Sequence, residues 1–108
     1  MKDKSKVRYR DWDCTIRARK YNNGNLAIEL LEAETGDHFT TCTVNVGKID
    51  DSLNAVAVKD YSENEGMLDF LKENGLVGDT LYTVQSGFVI VPVVKLTESG
   101  LELFREVA

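Results

Sequence analysis

Apolar Trp12, Cys14, Ile16 and Ala18 alternate with Asp13, Thr15, Arg17 and Arg19, the pattern of a strand with one face turned to a core. The same signal resumes at Leu26, Ile28 and Leu30. Between them lies Asn22-Asn23-Gly24. Requiring inward residues to face inward residues across the hairpin pairs Ile16 with Leu30 and Ala18 with Ile28, and sets Arg17 opposite Glu29 on the outer face. The loop left over is a three-residue turn in which Gly24 takes the left-handed position. A polar turn at Thr35-Gly36-Asp37 leads to a third run, Cys42, Val44 and Val46 alternating with Thr41, Thr43 and Asn45, which predicts a meander. Ala55 to Val58 reads as a short edge strand.

The period changes at Asp60. Ser62 with Glu65 three residues on forms the signature of a capping box, and Met67, Leu68, Phe70 and Leu71 supply an apolar stripe. Gly75 after Asn74 supplies a left-handed stop, with Leu76 placed to pack back on Leu71. A helix over Glu63 to Asn74 is expected. Two further strands, Leu81 to Val84 and Phe88 to Leu96, flank Gln85-Ser86-Gly87. Phe88-Val89-Ile90-Val91 is apolar on both parities, as in a strand covered on both faces, and Pro92 calls for a bulge or an unpaired edge. Thr97 can cap a short C-terminal helix with Leu96 and Leu101 as its staple, although Leu101, Leu103 and Arg105 also alternate. The fold class expected is α+β: an antiparallel sheet of five or six strands, the main helix packed on one face, and a short C-terminal helix.

A chain of 108 residues, 43% hydrophobic and 29% charged, is one globular domain (1–108) with enough core to need neither disulfide nor metal. No apolar run is long enough for a membrane span, and residues 1–10 lack the apolar stretch of a secretory signal, so a cytoplasmic protein without a membrane partner is expected. The net charge of −5 hides an asymmetry: +5 on residues 1–20 and −10 on residues 21–108. Residues 1–6 read as a basic arm. The basic segment can be a nucleic-acid-seeking element, or an edge that pairs with the carboxylates beside it. Cys14 and Cys42 fall at inward positions and read as small core residues. If the second strand is central they lie two strands apart, beyond bridging distance.

Most site chemistries are absent from the pattern. Gly47-Lys48 lacks the upstream glycine and the following Ser or Thr of a phosphate-binding loop. The single histidine, His38, sits beside Asp37 in a turn and has no nucleophile to serve. Cys14, Cys42 and His38 are too scattered for zinc. Asp60, Ser62 and Asn64 have the opening spacing of a calcium loop, but its glycine is displaced to Gly66 and its closing glutamate is replaced by Leu71. No catalytic residue, metal or cofactor is assigned. Two interaction surfaces remain. One is an acidic cluster of Asp50, Asp51, Asp60, Tyr61, Glu63, Glu65 and Asp69, suited to a basic protein partner. The other is the basic set Arg8, Arg10, Arg17, Arg19 and Lys20, which with Tyr9, Trp12 and Tyr21 could contact nucleic acid. Trp12 nevertheless has the parity of the core and is expected to be a packed anchor.

The stretch Lys59-Asp60-Tyr61-Ser62-Glu63-Asn64-Glu65-Gly66-Met67-Leu68, with Gly24-Asn25-Leu26-Ala27 and Ser86-Gly87-Phe88-Val89-Ile90-Val91-Pro92-Val93, resembles a family of small proteins carried on plasmids, conjugative elements and phages of Gram-positive bacteria. The resemblance spans about Trp12 to Leu96 and brings no catalytic residue or cofactor with it. It implies a mobile-element accessory role, and in that setting a small acidic protein resembles a binder or inhibitor of a host factor. The leading expectation is therefore a non-catalytic protein-binding accessory protein, an inhibitor of a host defence nuclease acting through its acidic surface. The alternative is a nucleic-acid-binding module that uses the basic N-terminal strand.

Overall fold

A computed structural model describes residues 5–107. Strands β1 (Lys6–Tyr9), β2 (Trp12–Lys20), β3 (Leu26–Glu32) and β4 (His38–Thr41) form an antiparallel meander in the order β1-β2-β3-β4. A second antiparallel sheet, in the order β5-β7-β6, is built from β5 (Ala55–Ala57), β6 (Val77–Ser86) and β7 (Val89–Leu96). Helix α1 (Met67–Glu73) connects β5 to β6, and α2 (Glu98–Val107) ends the described chain. The architecture is α+β, but the strands divide into two sheets where one of five or six strands was expected.

The first hairpin has the register derived from its pattern: Ile16 faces Leu30, Arg17 faces Glu29 and Ala18 faces Ile28. Gly24 closes its turn at φ +90°, and a Cβ there would also stand 3.1 Å from Lys48 Nζ. The inward set Cys14, Ile16, Ala18, Ile28 and Leu30 is buried with Val56, Val94 and Leu96 of the second sheet, with Val58 just after β5, and with Met67, Phe70, Leu71 and Phe104 of the helices. This main core thus lies on one face of the four-stranded sheet. A smaller core, Ile49, Ala57, Val91 and Val93, lies on the other face of the second sheet.

The sheet divides because the third run leaves the meander early. β4 ends at Thr41, and what was expected to continue as strand over Cys42 to Val46 makes only an isolated bridge between Thr43 and Val58. Cys42 N still donates to Ile28 O of β3, while Val44 N donates to Ala57 O and Lys59 N to Cys42 O. Three residues therefore carry the chain from one sheet to the other. Buried polar side chains replace the missing ladder. Thr43 Oγ1 accepts from Ile28 N (3.2 Å), and Asn64 Nδ2 donates to Thr41 O (2.7 Å). Asn25, 6% exposed, donates to Asn45 Oδ1, Val46 O and Gly47 O and accepts from Ile49 N.

The expected helix over Glu63 to Asn74 is shortened at its N-terminus. Residues Ser62–Asn64 form a 3-10 turn, and Ser62 itself has φ +55°, so the Ser62–Glu65 capping box does not form. Asp60 takes over: its Oδ1 accepts from Gly66 N (2.9 Å) and Leu68 N (3.1 Å). The stop at Gly75 has the expected form, with Leu76 N donating to Leu71 O and Gly75 N to Lys72 O. At the C-terminus helix prevails over strand. Thr97 Oγ1 caps α2 by accepting from Gly100 N at 3.0 Å, and Leu96 and Leu101 join the main core. Gly100 lies so close to Leu76 O that a Cβ could not be accommodated.

Trp12 is corrected from a packed anchor to a 52%-exposed side chain. It sits beside the two-residue β1–β2 turn, past the edge of the core, touching Phe39 with ring centroids 5.8 Å apart. Tyr9 takes the buried aromatic place instead, edge-on to Phe70 at 4.9 Å. The basic arm expected over residues 1–6 falls largely on residues 1–4, which lie outside the described residues; Ser5 O already accepts from Ile16 N, and Lys6 pairs with Thr15. The last hairpin turns at Gly87-Phe88, and its apolar run is not covered on both faces, since Ile90 is 65% exposed and Phe88 fully so. Pro92 sits in the central strand, and the irregularities fall where β6 pairs with it, between Val77 and Thr80 and between Thr80 and Tyr82.

Asn25→Ala removes the donor and acceptor that hold residues 45–49 and leaves the buried Ile49 N–H without its partner. Its expected effect is a loss of about 2–4 kcal/mol of stability in urea denaturation, well above the roughly 1 kcal/mol of an ordinary hydrogen bond.

Candidate interaction surfaces

The acidic cluster is divided by the fold. Asp50 and Asp51 precede β5, whereas Asp60, Tyr61, Glu63, Glu65 and Asp69 follow it. Most of these carboxylates have local work. Asp50 Oδ1 accepts from Ser52 N (2.9 Å) and Ser52 Oγ (2.8 Å), and these bonds hold its pKa below the usual carboxylate range. Asp51 pairs with Lys48 at 2.6 Å. Glu63 pairs with Lys59, whose hydrogen bond lowers the glutamate pKa and raises that of the lysine. Asp60 caps α1. Glu65 and Asp69 are exposed, and Glu63 keeps a 63%-exposed side chain.

The basic set lies mainly on the outer face of the first sheet, and it is largely paired. Arg8 meets Asp13 at 3.2 Å. Arg17 and Arg19 converge on Glu29 at 3.5 and 3.4 Å, and His38 Nε2 approaches the other oxygen of the same carboxylate at 3.5 Å. Arg10, held at φ +55° in the turn, donates to Glu63 O (2.9 Å) and Glu65 O (3.1 Å) and lies 5.0 Å over the Tyr9 ring. The segment expected to seek an external polyanion therefore spends much of its charge within the chain. Lys20 is the exception: it has no ion-pair partner among the described residues.

Sequence reasoning missed the surface formed by the β6–β7 hairpin. Of five large exposed apolar side chains among the described residues, four stand on it: Leu81, Tyr82, Phe88 and Ile90. Ile90 shares the face of Val94 and Leu96, but the main core does not extend to it; Tyr82, opposite Val93, points to the other side, and Phe88 occupies the turn. The run Phe88 to Val91, apolar on both parities, is the signal of this surface in the sequence, where it has the same pattern as a strand covered on both faces. The acidic segment lies nearby, because Tyr61 packs against the same small core as Val84 and Val89 of the hairpin. Lys59 Nζ stands 5.8 Å from the Tyr61 ring centroid and fixes this segment to Glu63.

The chain matches no family model, no curated protein and no solved structure.

Cys14 and Cys42 are free and buried, as their parity implied. Desolvation raises both thiol pKa values, most strongly at Cys42. Among the described residues no group of three or more His, Cys, Asp and Glu is placed to hold a metal ion, and no helix is long and apolar enough to cross a membrane. A thiol raised in the folded state keeps its proton there while the unfolded chain loses it. Stability is therefore complete below the unfolded thiol pKa, about 8.5, and falls as pH rises above it toward the folded value. Denaturation midpoints are expected to decline from about pH 8.5 to 10 in the native protein and less steeply in Cys42→Ala. Iodoacetamide at pH 8 is expected to label neither thiol until denaturant is added.

Proposed function

We propose that the chain is a non-catalytic protein-binding module, a cytoplasmic accessory of a mobile genetic element, that inserts the β6–β7 hairpin into an apolar pocket ringed by basic residues on a partner protein. The observation that carries this reading is the fully exposed Phe88 at the hairpin turn with Ile90, Leu81 and Tyr82 behind it. An aromatic anchor surrounded by aliphatic side chains is the composition of an interface centre, and isolated exposure does not account for four such residues on one hairpin. Charge complementarity defines the rest of the partner. Glu63, Glu65 and Asp69 are exposed on the segment packed beside the hairpin, and the chain carries −5 overall. Basic grooves are characteristic of proteins that bind nucleic acid, so a host defence nuclease is the partner class of choice, with the carboxylates occupying positions meant for phosphates. The role of the acidic surface is narrowed accordingly: Asp50, Asp51 and Asp60 serve the fold, and the contact belongs to the hairpin with Glu63, Glu65 and Asp69.

Nucleic-acid binding through Arg8, Arg10, Arg17 and Arg19 draws no support from their arrangement, since each is engaged by a carboxylate or by backbone carbonyls.

Affinity capture from a Gram-positive host lysate, followed by titration of the purified captured protein, tests the reading. A stoichiometric partner is expected that loses binding at least tenfold with Phe88→Ser and Ile90→Ser, and whose affinity falls with salt and with Glu63→Lys and Glu65→Lys. A partner indifferent to both pairs of substitutions, or duplex DNA bound at low salt with a steep salt slope, would overturn it.

A further inference from the structure

A cleft of about 480 Å³ opens on the side of the molecule where the first hairpin turn, the 3-10 turn Asp51–Leu53, the start of β5 and helix α2 meet. Its floor is apolar: Leu26 of β3, Ile49, Leu96 of β7, and Leu101 and Phe104 of α2. Ile49, Leu96 and Phe104 are nearly inaccessible, while Leu26 and Leu101 are half-buried and present the reachable apolar surface.

The rim is charged and its charges are unequally used. Lys48 and Asp51 neutralise one another, and the Asp50 carboxylate is occupied by the amide and hydroxyl of Ser52. Lys20 at the end of β2 and Arg105 in the last turn of α2 both line the cleft, and neither has an ion-pair partner among the described residues. Several other cations of this acidic chain meet carboxylates, Arg8, Arg17, Arg19 and Lys59 among them, whereas Lys6, Lys72 and Lys95 have no ion-pair partner among the described residues. Lys20 and Arg105 differ from these lysines in lining one cleft with an apolar floor. The walls are also preformed, because Asn25 anchors residues 45–49 through its amide and Leu96 N donates to Asn54 O at 2.8 Å. Ligand sites of this size combine an apolar lining with a few placed polar groups.

We infer that this cleft binds a small amphipathic anion, its apolar body on Leu26 and Leu101 and its carboxylate, sulfonate or phosphate between Lys20 and Arg105. A guanidinium on a helix and an ammonium on the facing strand end supply charge-assisted hydrogen bonds to one anionic group. The apolar floor provides the discrimination against inorganic anions, which cannot use it. The site is separate from the hairpin surface and does not rest on the protein-binding reading.

Amide-detected NMR titration of the full chain with naphthalene sulfonate tests the inference, with inorganic phosphate as the anion without an apolar body and naphthalene methanol as the body without an anion. Saturable shifts are expected at Leu26, Ile49, Leu101 and Phe104 with the sulfonate, and affinities at least tenfold weaker with either control. Lys20→Gln and Arg105→Gln should each weaken the sulfonate about tenfold while leaving the spectrum of the free protein otherwise unchanged, since both side chains are exposed. Shifts confined to Phe88 and Ile90, phosphate binding as tightly as the sulfonate, or affinity unaltered in the Lys20→Gln, Arg105→Gln double variant would each overturn it.

Discussion

Four hydrogen bonds from one buried side-chain amide, that of Asn25, hold the segment by which the chain passes from one sheet to the other. Backbone carried through an interior must find partners for its N–H and C=O groups, and residues 42–49 have no complete strand ladder to supply them. Asn25 supplies them for residues 46–49, while Thr43 and Asn64 satisfy the adjoining groups Ile28 N and Thr41 O. With the crossing held, β5 can start the second sheet, and the main core closes between that sheet, the four-stranded sheet and both helices. Leaving any of these buried groups unpaired costs more than forming the bond contributes, so the crossing is specified as well as stabilised.

Electrostatics follow a related economy of short range. The segment carrying +5 becomes an outer sheet face in which Glu29 receives Arg17, Arg19 and His38, and Asp13 receives Arg8. These exposed pairs contribute little individually to stability. Their consequence is to weaken locally the field that the sequence suggested. On the acidic side, carboxylates at Asp50 and Asp60 satisfy backbone amides where a turn or a helix begins, so charge that reads as a binding surface along the chain acts as capping chemistry in the fold.

What is left after this internal pairing defines the surfaces open to other molecules. The β6–β7 hairpin extends past the main core and presents apolar side chains on its two faces and its turn, beside carboxylates that remain exposed. The cleft beside α2 keeps two cations that the rest of the molecule does not neutralise. Both features depend on distant segments. Ile90 is exposed because the main core does not extend to it, and the cleft is walled on one side by α2, which packs against β2.

Local patterns determined much of this protein. The alternation of β2 and β3 set their register to the residue, Gly24 and Gly75 marked a turn and a helix stop, Thr97 marked the start of α2, and the parity of Cys14 and Cys42 placed both thiols inside. These are consequences of side-chain direction and backbone sterics over a few neighbouring residues, and they survive any tertiary arrangement. The division into two sheets, the displacement of the Ser62 cap by Asp60, the exposure of Trp12 and Ile90, and the pairing of the basic segment were decided only by the tertiary structure. An apolar residue is buried when another element reaches it, and a charge is neutralised when its counterpart folds against it. Binary pattern records which face a residue takes, whereas the extent of the opposing layer is fixed by contacts between segments far apart in the chain.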